Sequence, residues 1–118
     1  MATIKEITSM CRAGQVAEAY VVAKTDYEAT PQNVWAQREM AWALYYMFKY
    51  DLEKKSRADF YTHLEELAML DLLNMQTDAL IFENVIWKLV ELIKLIPVER
   101  IDEIERVYSF LSKYTFSS

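Results

Sequence analysis

A single glycine, Gly14, and only two prolines, Pro31 and Pro97, interrupt 118 residues. Sheet-rich chains need tight turns roughly every 8–12 residues, and those turns draw on Gly, Asn, Asp and Pro at defined positions. One glycine does not supply them, and no stretch alternates apolar and polar residues between turn signals. The chain is therefore expected to be all-α, with its rare breakers marking helix ends.

The breakers fall where helical periodicity stops. Thr3-Ile4-Lys5-Glu6 has the form of a capping box, and Ile4, Ile7, Met10 and Cys11 then recur at helical spacing. This predicts a first helix over about 4–13, stopped by Gly14, which adopts the left-handed geometry of a helix end without a side-chain penalty. Val16, Ala19, Tyr20, Ala23 and Tyr27 mark one face of a second helix, ending near Ala29 because Pro31 disfavours helical geometry in Thr30. Asn33 caps a third, long helix running through Trp35 towards Lys54 and Lys55, whose charges suit a C-terminus.

Ser56-Arg57-Ala58-Asp59 opens a fourth helix, with Phe60, Leu64, Leu67 and Ala68 inward, extending to about Leu73. After Asn74-Met75-Gln76, Thr77 caps a fifth, whose apolar face is Phe82, Val85, Ile86, Leu89, Leu92, Ile93 and Ile96, opposite Asn84, Lys88 and Glu91. Pro97 closes it and is expected as the first residue of a sixth, with Ile101, Ile104, Val107, Tyr108 and Leu111 inward. Six helices in three antiparallel hairpins, 3–33, 34–74 and 77–116, are expected to form one domain.

Residues that could carry chemistry are scarce. His63 is the only histidine, whereas zinc and di-iron sites need several His, Cys or carboxylate ligands. His63 reads as a surface or helix-end residue, Cys11 as a small buried hydrophobe, and Glu65-Glu66 and the acids of the sixth helix as solvated faces. With one glycine there is no phosphate-cradling loop. The 13 basic and 18 acidic residues give a net charge of −5, which argues against nucleic acid. The basic cluster around Lys54, Lys55 and Arg57 reads as complementing a helix C-terminus. No catalytic residue, metal or cofactor is expected, so the chain is read as no enzyme. The lone cysteine and the absence of a leader-like run in MATIKEITSM point to the cytoplasm. The apolar run from Met40 to Phe48 is far short of the roughly 20 residues a membrane span needs.

Residues 14–33 resemble the second helix of a tetratricopeptide repeat: Gly14 at the turn, Glu18-Ala19 early in the helix, Ala23 one turn later, and Pro31-Gln32-Asn33 before the next unit. Ala41 and Leu44 suit the first helix of a following repeat. Ile7 and Asp26 depart from the pattern, standing where the family has small residues, and KYDLEKKSRAD lengthens the second unit. Past Thr77 no repeat signature is visible. The resemblance, clearest over residues 4–50, implies a right-handed array of helical hairpins, or an irregular bundle, acting as a protein-interaction scaffold. It is also similar to the N-terminal part of longer bacterial multidomain proteins.

The third helix carries two apolar stripes, Met40, Ala41, Leu44 and Phe48 on one, and Trp35, Trp42 and Tyr45 with Arg38 between them on the other. Such a helix is either central in a stack, with Trp35 and Trp42 buried by the hairpin after Thr77, or exposes its second stripe at a groove. The resemblance places Trp35, Arg38, Trp42 and Tyr45 on a concave face beside Lys5, Thr8 and Arg12 of the first helix. An aromatic floor with basic edges suits a protein or peptide partner, an acidic one in particular. A second arrangement is a homodimer built on the fifth and sixth helices.

Overall fold

The computed structural model describes residues 2–70 and 79–115. Six helices follow one another: α1 (Ile4–Arg12), α2 (Val16–Ala29), α3 (Val34–Glu53), α4 (Arg57–Ala68), α5 (Ala79–Leu95) and α6 (Ile101–Thr115). No strand occurs among the described residues.

Local chemistry explains most of the helix ends. The Thr3 hydroxyl accepts from the Glu6 amide (3.1 Å) and donates to its carboxylate (3.2 Å). Asn33 accepts from the Trp35 and Ala36 amides at 2.8 and 3.2 Å, and Ser56 accepts from the Asp59 amide at 3.4 Å, so each satisfies donors that the first helical turn leaves unpaired. Gly14 stops α1 with φ +88°. The next such stop falls on Lys55, φ +56°, a left-handed position filled by a residue with a Cβ.

α3 is the hub, packing against α1, α2, α4 and α5. Its Met40, Ala41, Leu44 and Phe48 stripe is buried, and Phe48 stacks on Phe60 of α4 at 4.6 Å. Ala19 and Ala23 of α2 and Ala36, Ala41 and Ala43 of α3 are fully covered. Where side chains are this small, helices approach closely.

The hairpins stack in two layers. α1, α3 and α5 lie side by side through direct packing. α2, α4 and α6 are joined by polar bridges: Tyr20 donates to Glu66, Lys24 pairs with Glu66, and Arg57 and Arg106 pair with Glu103 and Glu65.

Several expectations are corrected. Pro97 does not begin α6: it opens a turn in which the Arg100 amide donates to its carbonyl (2.9 Å), and the helix starts at Ile101. Ile101 and Tyr108, expected inward, are 61% and 59% exposed, while Val107 is buried and Ile104 half-buried. The Glu103 and Arg106 bridges to α4 turn α6 to this face. α4 ends at Ala68, itself exposed, rather than near Leu73. His63 is not at the surface: it is buried, its Nδ1 lies 2.5 Å from the fully covered carboxylate of Asp51, and its ring meets Tyr20 edge-on at 5.2 Å. Glu66, read as solvated, is only 19% exposed and accepts from the Tyr20 hydroxyl at 2.5 and 2.6 Å. The turn at 74–76, the cap at Thr77, and the side chains of Phe82 and Leu111 lie outside the described residues.

Candidate functional site

The face formed by α1 and α3 carries the residues singled out in the sequence, and two depressions take some of them: Lys5 and Trp35 line one, Arg12 and Tyr45 the other, Thr8 and Trp42 neither. At the first, Ala2, Thr3, Ile4 and Lys5 form one wall and Trp35 the other, around a volume of about 490 Å³. Trp35 is 61% exposed, and the Arg38 guanidinium lies 5.0 Å from its ring centre, close enough for the cation to be attracted by the ring face. Lys5 is exposed beside it.

The second depression is a cleft of about 570 Å³ between the end of α1 and the second half of α3. Arg12 stands on one side and Tyr45, Tyr46, Lys49, Tyr50 and Glu53 on the other. Tyr45 and Tyr46 meet edge-on at 5.0 Å, and the Lys54 ammonium lies 4.5 Å from the Tyr50 ring centre. Cys11 lines the inner wall, and burial pushes its thiol up to about 11. It therefore stays protonated and unreactive near neutral pH.

Between the depressions the face is closed. Thr8 is buried and donates its hydroxyl to the Lys5 carbonyl (3.2 Å), so it offers nothing to a groove. Trp42 is half-buried against the core and meets Tyr45 edge-on, the ring centres 5.9 Å apart. Lys88 of α5 reaches over Tyr45 at 5.9 Å. The two tryptophans of the stripe thus part ways: Trp42 belongs largely to the packing and Trp35 to the surface.

Tyr46, Lys49, Tyr50 and Glu53 were not among the residues that the sequence assigned to this face. Their signal was available, since Tyr45–Lys49, Tyr46–Tyr50 and Lys49–Glu53 all repeat at four residues and continue the same stripe down α3. A stripe ending at Tyr45 stopped two turns short.

The cleft presents three phenols, two cations and one carboxylate. Phenol rings supply broad amphipathic contact with few rotors to fix, and Arg12 and Lys49 supply charge-assisted donors. His63 is held by the Asp51 carboxylate through Nδ1 and does not line the cleft. Among the described residues no group of three or more His, Cys, Asp or Glu side chains is placed to hold a metal ion, and no helix is long and apolar enough to cross a membrane.

Fold and site together define a two-layer, all-α protein with an aromatic, basic-edged cleft on one layer. No family model matches the chain, and no curated protein and no solved structure matches it.

Proposed function

We propose that the chain is a non-enzymatic protein-interaction module that docks an acidic segment of a partner along the α1–α3 face. The observation that carries this reading is the meeting of Arg12 and Tyr45, assigned to one face from different helices, at a single cleft beside Tyr46, Lys49 and Tyr50. A cytoplasmic scaffold of the tetratricopeptide-like kind is the setting we favour. The succession of α1, α3 and α5 in one layer, with α2, α4 and α6 in the other, supports that likeness.

Panning the immobilised protein against a random peptide library tests it. Sequences rich in Asp, Glu and aromatic residues are expected to be enriched, and their binding to be lost in Arg12→Glu combined with Lys49→Glu. Enrichment of no sequence class, or equal binding to the folded double variant, overturns the proposal.

A second reading, self-association through α5 and α6, is favoured by the exposure of Trp87 (60%), Val98 (82%), Ile101 (61%) and Tyr108 (59%). Isolated apolar residues are ordinary on a surface, but Ile101 and Tyr108 stand seven residues apart on one face of α6.

A further inference from the structure

Under the first depression lies a polar cluster that the binding face does not use. Glu39 of α3 is 1% exposed, and no N–H or O–H donor reaches either of its carboxyl oxygens. The charged group that acts on it most is another carboxyl, Asp26 of α2. Asp26, half-buried, accepts from the Ala2 amide at 2.9 Å, which ties the start of α1 to α2.

We take the two neighbouring carboxyls, with no donor to Glu39, to share a proton, because adjacent carboxylates repel and Glu39 is covered from water. Glu39 is the one that keeps it, being the more deeply buried and lacking other donors, while Asp26 has the Ala2 N–H to stabilise its charge. We propose that this shared proton is a latch: while Glu39 holds it, Asp26 anchors Ala2 and the start of α1, and its loss releases them. Because Ala2, Thr3, Ile4 and Lys5 form the wall opposite Trp35, opening the latch reshapes that depression, whether or not a partner binds there.

The charges acting on the cluster agree with this assignment. Burial, the neighbouring Asp26 carboxyl and the charge of Glu6 raise Glu39 to about 8, against the opposing pull of the amino-terminal charge. Asp26 is lowered, chiefly by the Ala2 N–H, with a further contribution from Glu39 and against its own burial. Glu6, on α1, is occupied at 3.2 Å by the Thr3 hydroxyl. The sign follows: a group raised from 4.5 to about 8 in the fold stabilises it fully below 4.5, and that contribution is lost as pH rises through about 8. Asp26, being lowered, contributes in the opposite sense: its stabilisation is present above the ordinary 3.8 and is lost as pH falls below it. The latch therefore opens on the alkaline side.

Carbon-13 titration of the carboxyl groups, with the Ala2 nitrogen-15 shift followed in parallel, tests the latch in the intact chain. Glu39 is expected to titrate near 8, with Ala2 moving over the same range, and Glu39→Gln, whose amide donates permanently to Asp26, is expected to abolish the Ala2 movement. In Asp26→Asn the Glu39 midpoint is expected to fall, because the neighbouring charge is gone. A Glu39 midpoint in the ordinary range near 4.5 overturns the proposal. So does an Ala2 shift that ignores the Glu39 titration, or one that persists in Glu39→Gln. Should Glu39→Gln fail to fold, the wild-type titration and Asp26→Asn still decide, and an unchanged midpoint in Asp26→Asn counts against the shared proton.

Discussion

Gly14 and Lys55 occupy the same kind of backbone position, and only one of them suits it. At Gly14 an added Cβ meets nothing within 4 Å, so the penalty for Gly14→Ala is purely conformational, about 1 kcal/mol. Lys55→Gly is expected to stabilise by about 0.5 to 1 kcal/mol, the relief of left-handed strain being partly offset by the greater freedom of glycine in the unfolded chain. Urea denaturation of the two variants checks both signs. Gly14 announced its stop in the sequence because glycine is the residue that tolerates it. Lys55 did not, because lysine is common at helix ends for its charge and says nothing about φ. His63 was misread for a different reason: its partner Asp51 lies twelve residues away on another helix, and no local pattern encodes that pairing. Removing His63 with Ala leaves the Asp51 carboxylate covered and without a donor, so a loss of about 3 kcal/mol is expected. Asp51→Asn is expected to cost less than half of that, since it buries no charge. A smaller loss for His63→Ala than for Asp51→Asn contradicts this account.

At the level of helices, α1 to α3 were legible because their ends are made locally, by Thr3, Gly14, Pro31 and Asn33. The Asn33 cap holds the first turn of the helix that packs against four others, and Asn33→Ala is expected to destabilise by about 1 kcal/mol in a thermal or urea melt. α6 was legible as a helix but not in its start or its inward face. Pro97 is compatible both with the first turn of a helix and with a turn before one, and the sequence does not choose between them. The face is selected by Glu103, which accepts from Arg57 Nε at 3.0 Å and Tyr61 O–H at 3.3 Å, and these partners are more than forty residues away. Glu103→Ala removes both bonds at a half-buried site and is expected to destabilise by about 1 kcal/mol. Arg106→Ala removes a bridge whose side chains are 50% and 69% exposed, so its effect should stay within about 0.5 kcal/mol. Hydrogen exchange along α6 distinguishes them: faster exchange in Glu103→Ala and little change in Arg106→Ala are expected.

For the molecule as a whole, the question is whether its two exposed apolar regions act independently. The candidate site was partly legible because stripes on α3 follow from spacing alone. The divergence of Trp35 from Trp42, and the burial of Thr8, follow from how α1 and α5 settle against α3, which spacing does not carry. The net charge of −5 works against an acidic ligand at long range, so capture must rest on the local cations Arg12 and Lys49. Raising salt from about 0.05 to about 0.5 M shortens the screening length severalfold. It is expected to weaken acidic-peptide binding only modestly, because local attraction and distant repulsion are both screened while tyrosine contact is not. Self-association through Ile101 and Tyr108, being apolar, is expected to persist or strengthen with salt. The regions should also separate by mutation. Arg12→Glu with Lys49→Glu is expected to lose peptide capture and keep the wild-type sedimentation profile, whereas Ile101→Lys with Tyr108→Ser is expected to alter sedimentation and spare capture. If either pair changes both properties in folded protein, the cleft and the α6 face are parts of one surface. In that case the partner for the cleft is a second copy of this chain.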